Sequence, residues 1–69
     1  MNETTKFQAV RDDGFPGLPG EVTITVYQDI DGNYIPESDD LGVGHKYQSP
    51  KRAARDMARR HGYTLIPGS

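Results

Sequence analysis

The chain of 69 residues contains no cysteine and no tryptophan. Without cysteine, disulfide bonds and zinc sites with thiolate ligands are excluded. No apolar run approaches the roughly 18 residues of a membrane-spanning helix. The first residues also lack the basic start and apolar stretch of a signal peptide. We therefore expect a cytoplasmic protein that does not enter a membrane.

The chain also has few apolar residues, since only 33% fall in the hydrophobic class and the mean hydropathy is −0.76. These residues nevertheless recur with regular spacing, which is typical of a folded domain rather than a disordered tail. A chain of this length supports one hydrophobic core. We expect residues 1–69 to form a single domain, with residues 1–5 and 67–69 frayed.

Alternating apolar and polar residues predict several strands. The clearest is 21–28, in which Val22, Ile24 and Val26 share one face and Thr23, Thr25 and Tyr27 share the other. Weaker alternation predicts strands at 6–11, 41–48 and 63–66. An Asp-Gly turn in 29–33 would return the chain into a short strand at Tyr34 and Ile35, which Pro36 ends. The proline-rich and glycine-rich segment around Phe15 and Leu18 is predicted to be a connecting loop.

One helix is predicted between Ser49 and Gly62. Serine is a favoured N-cap, proline at position 50 suits the first helical turn, and glycine suits the left-handed C-terminal cap. The residues predicted to pack on a sheet are Ala53, Ala54, Met57, Ala58 and His61. The predicted fold is therefore α+β, in the order βββαβ, with one helix on one face of an antiparallel sheet of three to four strands.

Charge is divided unevenly along the chain. Residues 1–44 contain nine acidic and two basic residues, for a net charge of −7, whereas residues 45–69 contain one acidic and six basic residues, for +5. The candidate nucleic-acid-binding residues lie on the polar side of the predicted helix: Lys51, Arg52, Arg55 and Arg59. Such a face is also typical of a solvated surface helix or of charges paired within the domain, and both alternatives stay open.

The segment 51–58, KRAARDMA, resembles the start of the last helix of double-stranded RNA-binding domains, Lys-Lys-x-Ala-Lys-x-x-Ala. That resemblance implies a helix that follows a three-stranded sheet and contacts phosphates through Lys51, Arg52 and Arg55. The chain departs from the family because it has no room for the first helix, which reads the minor groove. Arg59 also stands where the motif has a second small residue.

In size and in its predicted architecture the chain resembles small proteins of phages and other mobile elements, including anti-CRISPR inhibitors. That resemblance implies a surface that binds a basic host protein. The candidate partner-binding residues are Asp39 and Asp40 in an acidic loop, with Tyr27 and Tyr47, which would lie on the sheet face away from the helix. Ordinary cross-strand packing of the tyrosines is the alternative. An unpaired edge strand would also support a homodimer.

The sequence predicts no catalytic residues, no metal site and no cofactor. The segment 29–33 has alternating acidic residues before Gly32, but a calcium loop in that register would lack both of its essential carboxylates, so a hairpin turn is expected. Neither His45 nor His61 belongs to a spaced ligand pair. We therefore expect a non-enzymatic binding module that contacts nucleic-acid phosphates, with a phage-encoded protein-binding inhibitor as the alternative.

Overall fold

The computed structural model describes residues 4–11 and 20–66. Within them, one helix packs on one face of a five-stranded antiparallel sheet. The predicted α+β class is confirmed, and the sheet has five strands where three to four were expected. The elements are β1 (Thr4–Val10), β2 (Glu21–Gln28), β3 (Tyr34–Ser38), β4 (Gly42–Val43), α1 (Pro50–Arg60) and β5 (Thr64–Leu65). The loop predicted around Phe15 and Leu18, and the end predicted to fray at 67–69, lie outside the described residues.

The strands are arranged in the order β4-β3-β2-β1-β5. Strand β2 lies at the centre, where Ile24 is opposite Phe7 of β1 and Val26 is opposite Pro36 of β3. After the helix, the chain returns beside its own first strand, with Leu65 opposite Ala9. Strand β1 begins at Thr4, inside the range that was expected to fray.

The hydrophobic core lies between the sheet and the helix. Val22, Ile24 and Val26 of β2 are almost fully buried, as the alternation predicted. Four residues of the predicted helix face are also buried: Ala53, Ala54, Met57 and Ala58. Because alanine side chains are small, the helix lies close to the sheet. His61, the fifth predicted member of that face, is instead exposed as the C-terminal cap of the helix.

Both ends of the helix have the predicted caps. At the start, the Oγ atom of Ser49 accepts a hydrogen bond of 3.2 Å from the backbone N–H of Arg52. At the end, Gly62 has a φ of +80° and the N–H of Tyr63 donates to the carbonyl of Ala58 at 2.7 Å. This is the Schellman arrangement, and Tyr63, only 2% exposed, supplies the apolar contact that accompanies it.

Strand β3 continues through Pro36, so the prediction that proline ends this strand is wrong. Tyr34 exchanges both backbone hydrogen bonds with Tyr47, and the carbonyl of Pro36 accepts one from Gly44 at 2.9 Å. In an antiparallel strand, alternate residues bond to opposite neighbours. The missing donor of Pro36 therefore faces the irregular segment after β4, and the pairing with β2 loses no hydrogen bond.

The predicted strand at 41–48 is much shorter than expected. Only Gly42 and Val43 form a ladder with β3, and Tyr47 adds one isolated bridge to Tyr34. Gly42 has a φ of +85°, a conformation that glycine adopts without strain, at the point where the turn after β3 enters β4. Residues 44–46 are irregular, and they lead from β4 to the bridge at Tyr47 and then to the start of the helix.

The Asp-Gly hairpin turn between β2 and β3 is confirmed. Gly32 has a φ of +88°, and the Oδ1 atom of Asp29 accepts hydrogen bonds from the backbone N–H groups of Asp31 and Asn33. The carboxylate thereby stabilises the turn. The one helix of the described part is too short and too polar to cross a bilayer.

Candidate nucleic-acid interface

The four predicted cationic residues lie together on the outer side of the helix. Lys51, Arg52, Arg55 and Arg59 are all exposed. Their spacing of three and four residues places them on the side opposite the buried alanines. Within residues 4–11 and 20–66, none of the four forms a salt bridge with a carboxylate. Their charge is therefore available to an external anion.

These cations line an open groove of ≈ 590 Å³. Tyr47, Ser49 and Asp56 complete its lining. Tyr47 lies just before the helix and Ser49 caps the helix start, so the groove extends along the helix from its first turn towards its last. The arrangement is a wide, open depression along the helix.

Asp56 is the one acidic residue among the cations of the helix, and its charge is already compensated. Its Oδ2 atom accepts a hydrogen bond of 2.6 Å from Nε of Arg60. The Tyr47 hydroxyl and then Arg60 hold the pKa of the Asp56 carboxyl below its usual range, despite partial burial. Arg60 thus neutralises Asp56, and the other four cations are left without a compensating charge.

Tyr47 pairs with β3 through its backbone, and its side chain packs against the hydrophobic core. Its backbone N–H and C=O pair with those of Tyr34 at 2.9 and 2.7 Å. The hydrogen bond to Asp56 raises the pKa of the Tyr47 phenol, because ionising the phenol would break that bond beside a carboxylate. Tyr47 was predicted on the sheet face away from the helix, and the structure places it on the helix side. Tyr47 is paired with Tyr34. Successive residues of a strand point to opposite faces, so Tyr34 is on the helix side because its neighbour Ile35 is on the face away from the helix.

The other predicted partner-binding residues lie elsewhere. Asp39 and Asp40 are exposed in the turn between β3 and β4, where the Oγ atom of Ser38 accepts a hydrogen bond of 3.3 Å from the N–H of Asp40. Tyr27 lies opposite Ile35 on the face of the sheet away from the helix, which no other described element covers and which is called the uncovered face. The structure therefore brings Tyr47 together with the cations and separates it from Tyr27 and the acidic turn.

Another, smaller concavity of ≈ 410 Å³ lies on this uncovered face. Its lining is mostly polar and includes Asp39, Glu37 and Lys6 with Thr23 and Thr25. The surface contains both signs of charge, so it lacks the one-sided charge of the helix groove.

Asp29, in the turn between β2 and β3, is not an uncompensated negative charge. Its Oδ2 atom lies 3.4 Å from Nζ of Lys46, and its side chain is only 15% exposed. Partial burial opposes ionisation, but the hydrogen bonds from Asn33 and Asp31, together with Lys46, lower the pKa of the Asp29 carboxyl. Asp29 therefore acts as a structural residue of the turn.

Sequence reasoning missed the pairing of Asp56 with Arg60 and the place of Tyr47 in the groove. The pairing of Asp56 with Arg60 could have been predicted, because an acidic and a basic residue stand at i and i+4 on a predicted helix. The position of Tyr47 had no local signal, since it depends on where the irregular segment after β4 runs alongside β3. Among the described residues, no cluster of three or more histidine, aspartate or glutamate side chains could hold a metal ion.

In comparisons with protein-family models, curated proteins and solved structures, the chain matches none. The groove itself is therefore the basis for inferring function.

Proposed function

We propose that the protein is a non-enzymatic module of the cytoplasm that binds nucleic-acid phosphates through Lys51, Arg52, Arg55 and Arg59. The observation that supports this most directly is the absence of any salt bridge to these four exposed cations within the described part of the chain. The neighbouring acid, Asp56, is already paired with Arg60. A polyanion would therefore meet uncompensated positive charge along one side of the helix.

The length of the cationic row limits how many phosphates it can contact, and this number sets the expected salt dependence of binding. From Lys51 to Arg59 the helix rises about 12 Å, which is enough for a few successive phosphates. Each neutralised phosphate contributes about 0.7–0.9 to the slope of log K against log salt, so four contacts give a slope of about −3 to −4. Phosphate contacts carry no direct sequence information, so we expect little base specificity.

The test compares two single charge reversals. Arg55→Glu changes the groove, whereas Lys6→Glu makes the same change in charge on the opposite, uncovered face of the sheet. We expect Arg55→Glu to weaken binding and to reduce the salt slope by about one or more, while Lys6→Glu leaves both nearly unchanged. Fluorescence anisotropy with labelled oligonucleotides at roughly 50 and 200 mM salt measures both quantities.

Two results would refute the phosphate-binding function. One is the absence of binding even at low salt. The other is equal weakening by Arg55→Glu and Lys6→Glu, which would show that only net charge matters and that the groove has no special role.

The alternative is a phage-encoded inhibitor that binds a basic, nucleic-acid-handling protein through its acidic turn. Asp39 and Asp40 support it, because both are exposed and neither forms a salt bridge with the described residues. Under this alternative, Asp39→Lys abolishes capture of the partner from host lysate. Asp31→Lys, which makes the same change at the other end of β3, serves as the control. Equal capture by both variants would remove the acidic turn from consideration.

A further inference from the structure

Tyr47 and the four helix cations, Lys51, Arg52, Arg55 and Arg59, line the same groove. The aromatic ring is half-buried and the cations beside it are exposed. Such a combination of a positive groove and an aromatic side chain is typical of proteins that bind single strands, in which bases stack on the ring while the phosphates contact the cations.

The ring is positioned before any ligand arrives. Its backbone is paired with that of Tyr34, and its partly buried side chain packs against the hydrophobic core. Ordering a flexible side chain costs free energy on binding, and a ring that is already fixed avoids most of that cost. The packing of Tyr47 against the core therefore reduces the number of side-chain conformations that binding would have to restrict.

A duplex cannot use this surface. Its bases are stacked on each other and paired, so a duplex presents phosphates to the cations but no free base face to Tyr47. A single strand can turn one base out onto the ring while its phosphates follow the row of cations on the helix. Asp56 does not oppose this, because Arg60 already compensates its charge.

We infer that the groove binds single-stranded nucleic acid, with Tyr47 as the stacking surface for one base and the helix cations as the phosphate contacts. This inference rests on the proposed function and specifies its ligand. The length of the cationic row limits the site to a few nucleotides. RNA and DNA share the chemistry that the groove recognises.

The test uses labelled single strands of uridine or thymidine and duplexes of the same length. We expect the whole protein to bind the single strands about tenfold or more tightly than the duplexes, since stacking of one base contributes a factor of that order. Tyr47→Leu should lose most of this preference without changing the salt slope, because it removes no charge. Tyr47→Phe keeps the ring and should retain most of the affinity. Circular dichroism of each variant checks the fold.

A second measurement does not depend on a variant. Photo-crosslinking of a strand that contains 5-iodouracil, followed by peptide mapping, should place the crosslink at Tyr47. A crosslink at Tyr27 instead, on the uncovered sheet face, would overturn the inference.

The outcomes separate the inference from the proposed function. Equal affinity for single strands and duplexes, unchanged in Tyr47→Leu, would refute the stacking role while the phosphate-binding function stands. Absence of binding to every oligonucleotide would refute both.

Discussion

Among the glycines of the described residues, Gly44 is the one at which an added side chain would meet the closest contacts. A Cβ atom there would lie 2.8 Å from Cγ of Pro36 and 3.2 Å from Cε of Met57. Pro36 is fully buried and its ring is rigid, so it cannot move aside without shifting strand β3. We expect Gly44→Ala to lower the free energy of unfolding by about 1–3 kcal/mol, as measured by urea denaturation.

Gly20→Ala is the matched control for that change. A methyl group added at Gly20 would have no atom within 4 Å, and Gly20 has no positive φ, so we expect a change within about 0.5 kcal/mol. If both variants unfolded at the same urea concentration, the contact between Gly44 and Pro36 would not be a packing constraint.

Tyr47 shows why part of the site could not be predicted from the sequence. Alternation assigns a side chain to a face only when the backbone is a regular strand. Residues 44–46 are irregular, and Tyr47 makes a single bridge to Tyr34. The face of the sheet on which the Tyr47 side chain lies is therefore set by the bridge to β3, which no local sequence pattern encodes. The four cations, by contrast, follow helical periodicity and could be assigned to one face from the sequence.

At the scale of elements, the helix could be predicted almost completely and the strands β3 and β4 could not. The signals for the helix, Ser49, Pro50 and Gly62, act within one turn of the residues that they cap. The extent of β3 depends instead on which neighbour the missing donor of Pro36 faces. That is a property of the assembled sheet, so the rule that proline ends a strand gave the wrong boundary here.

The cationic row should also reduce the stability of the helix. Lys51, Arg55 and Arg59 are spaced at i, i+4 and i+8, and like charges at this spacing are destabilising. We expect Arg55→Glu to raise the free energy of unfolding by about 1 kcal/mol, since it converts two repulsive pairs into attractive ones. Thermal denaturation at low salt measures the change.

Arg55→Gln, which only removes the repulsion, should give a smaller gain than Arg55→Glu. If Arg55→Glu destabilised the protein instead, the Arg55 side chain would have a structural role and its loss of binding could not be assigned to phosphate contact.

At the scale of the whole molecule, two paired carboxylates, Asp29 and Asp56, should make stability depend on pH. Asp29 pairs with Lys46, and Asp56 with Arg60 and Tyr47, and the pKa of each carboxyl is lowered. The folded state therefore takes up protons less readily than the unfolded chain. The stabilisation is complete above the unfolded pKa of about 4 and is lost as the pH falls through the folded values.

We therefore expect the melting temperature to fall as the pH drops below about 4 and to fall less steeply in the double variant Asp29→Asn/Asp56→Asn. Thermal melts followed by circular dichroism over this range measure both. An equally steep fall in the double variant would assign the acid sensitivity to other groups.

The layered arrangement of one helix on an antiparallel sheet could be predicted from the order of the elements, because a lone amphipathic helix has to cover a sheet. The position of β5 beside β1 could not. Those strands are separated by most of the chain, and their pairing is fixed only when the helix has crossed the sheet and returned.

In the described part of the chain, the helix covers one face of the sheet and no element covers the other. The acidic turn and Tyr27 belong to the uncovered side, and the basic groove belongs to the other. The residues proposed to contact nucleic acid and those proposed to contact a basic protein therefore form two separate sets on opposite faces. If the protein has both ligands, each would use different residues, and substitutions in one set should leave the other interaction unchanged.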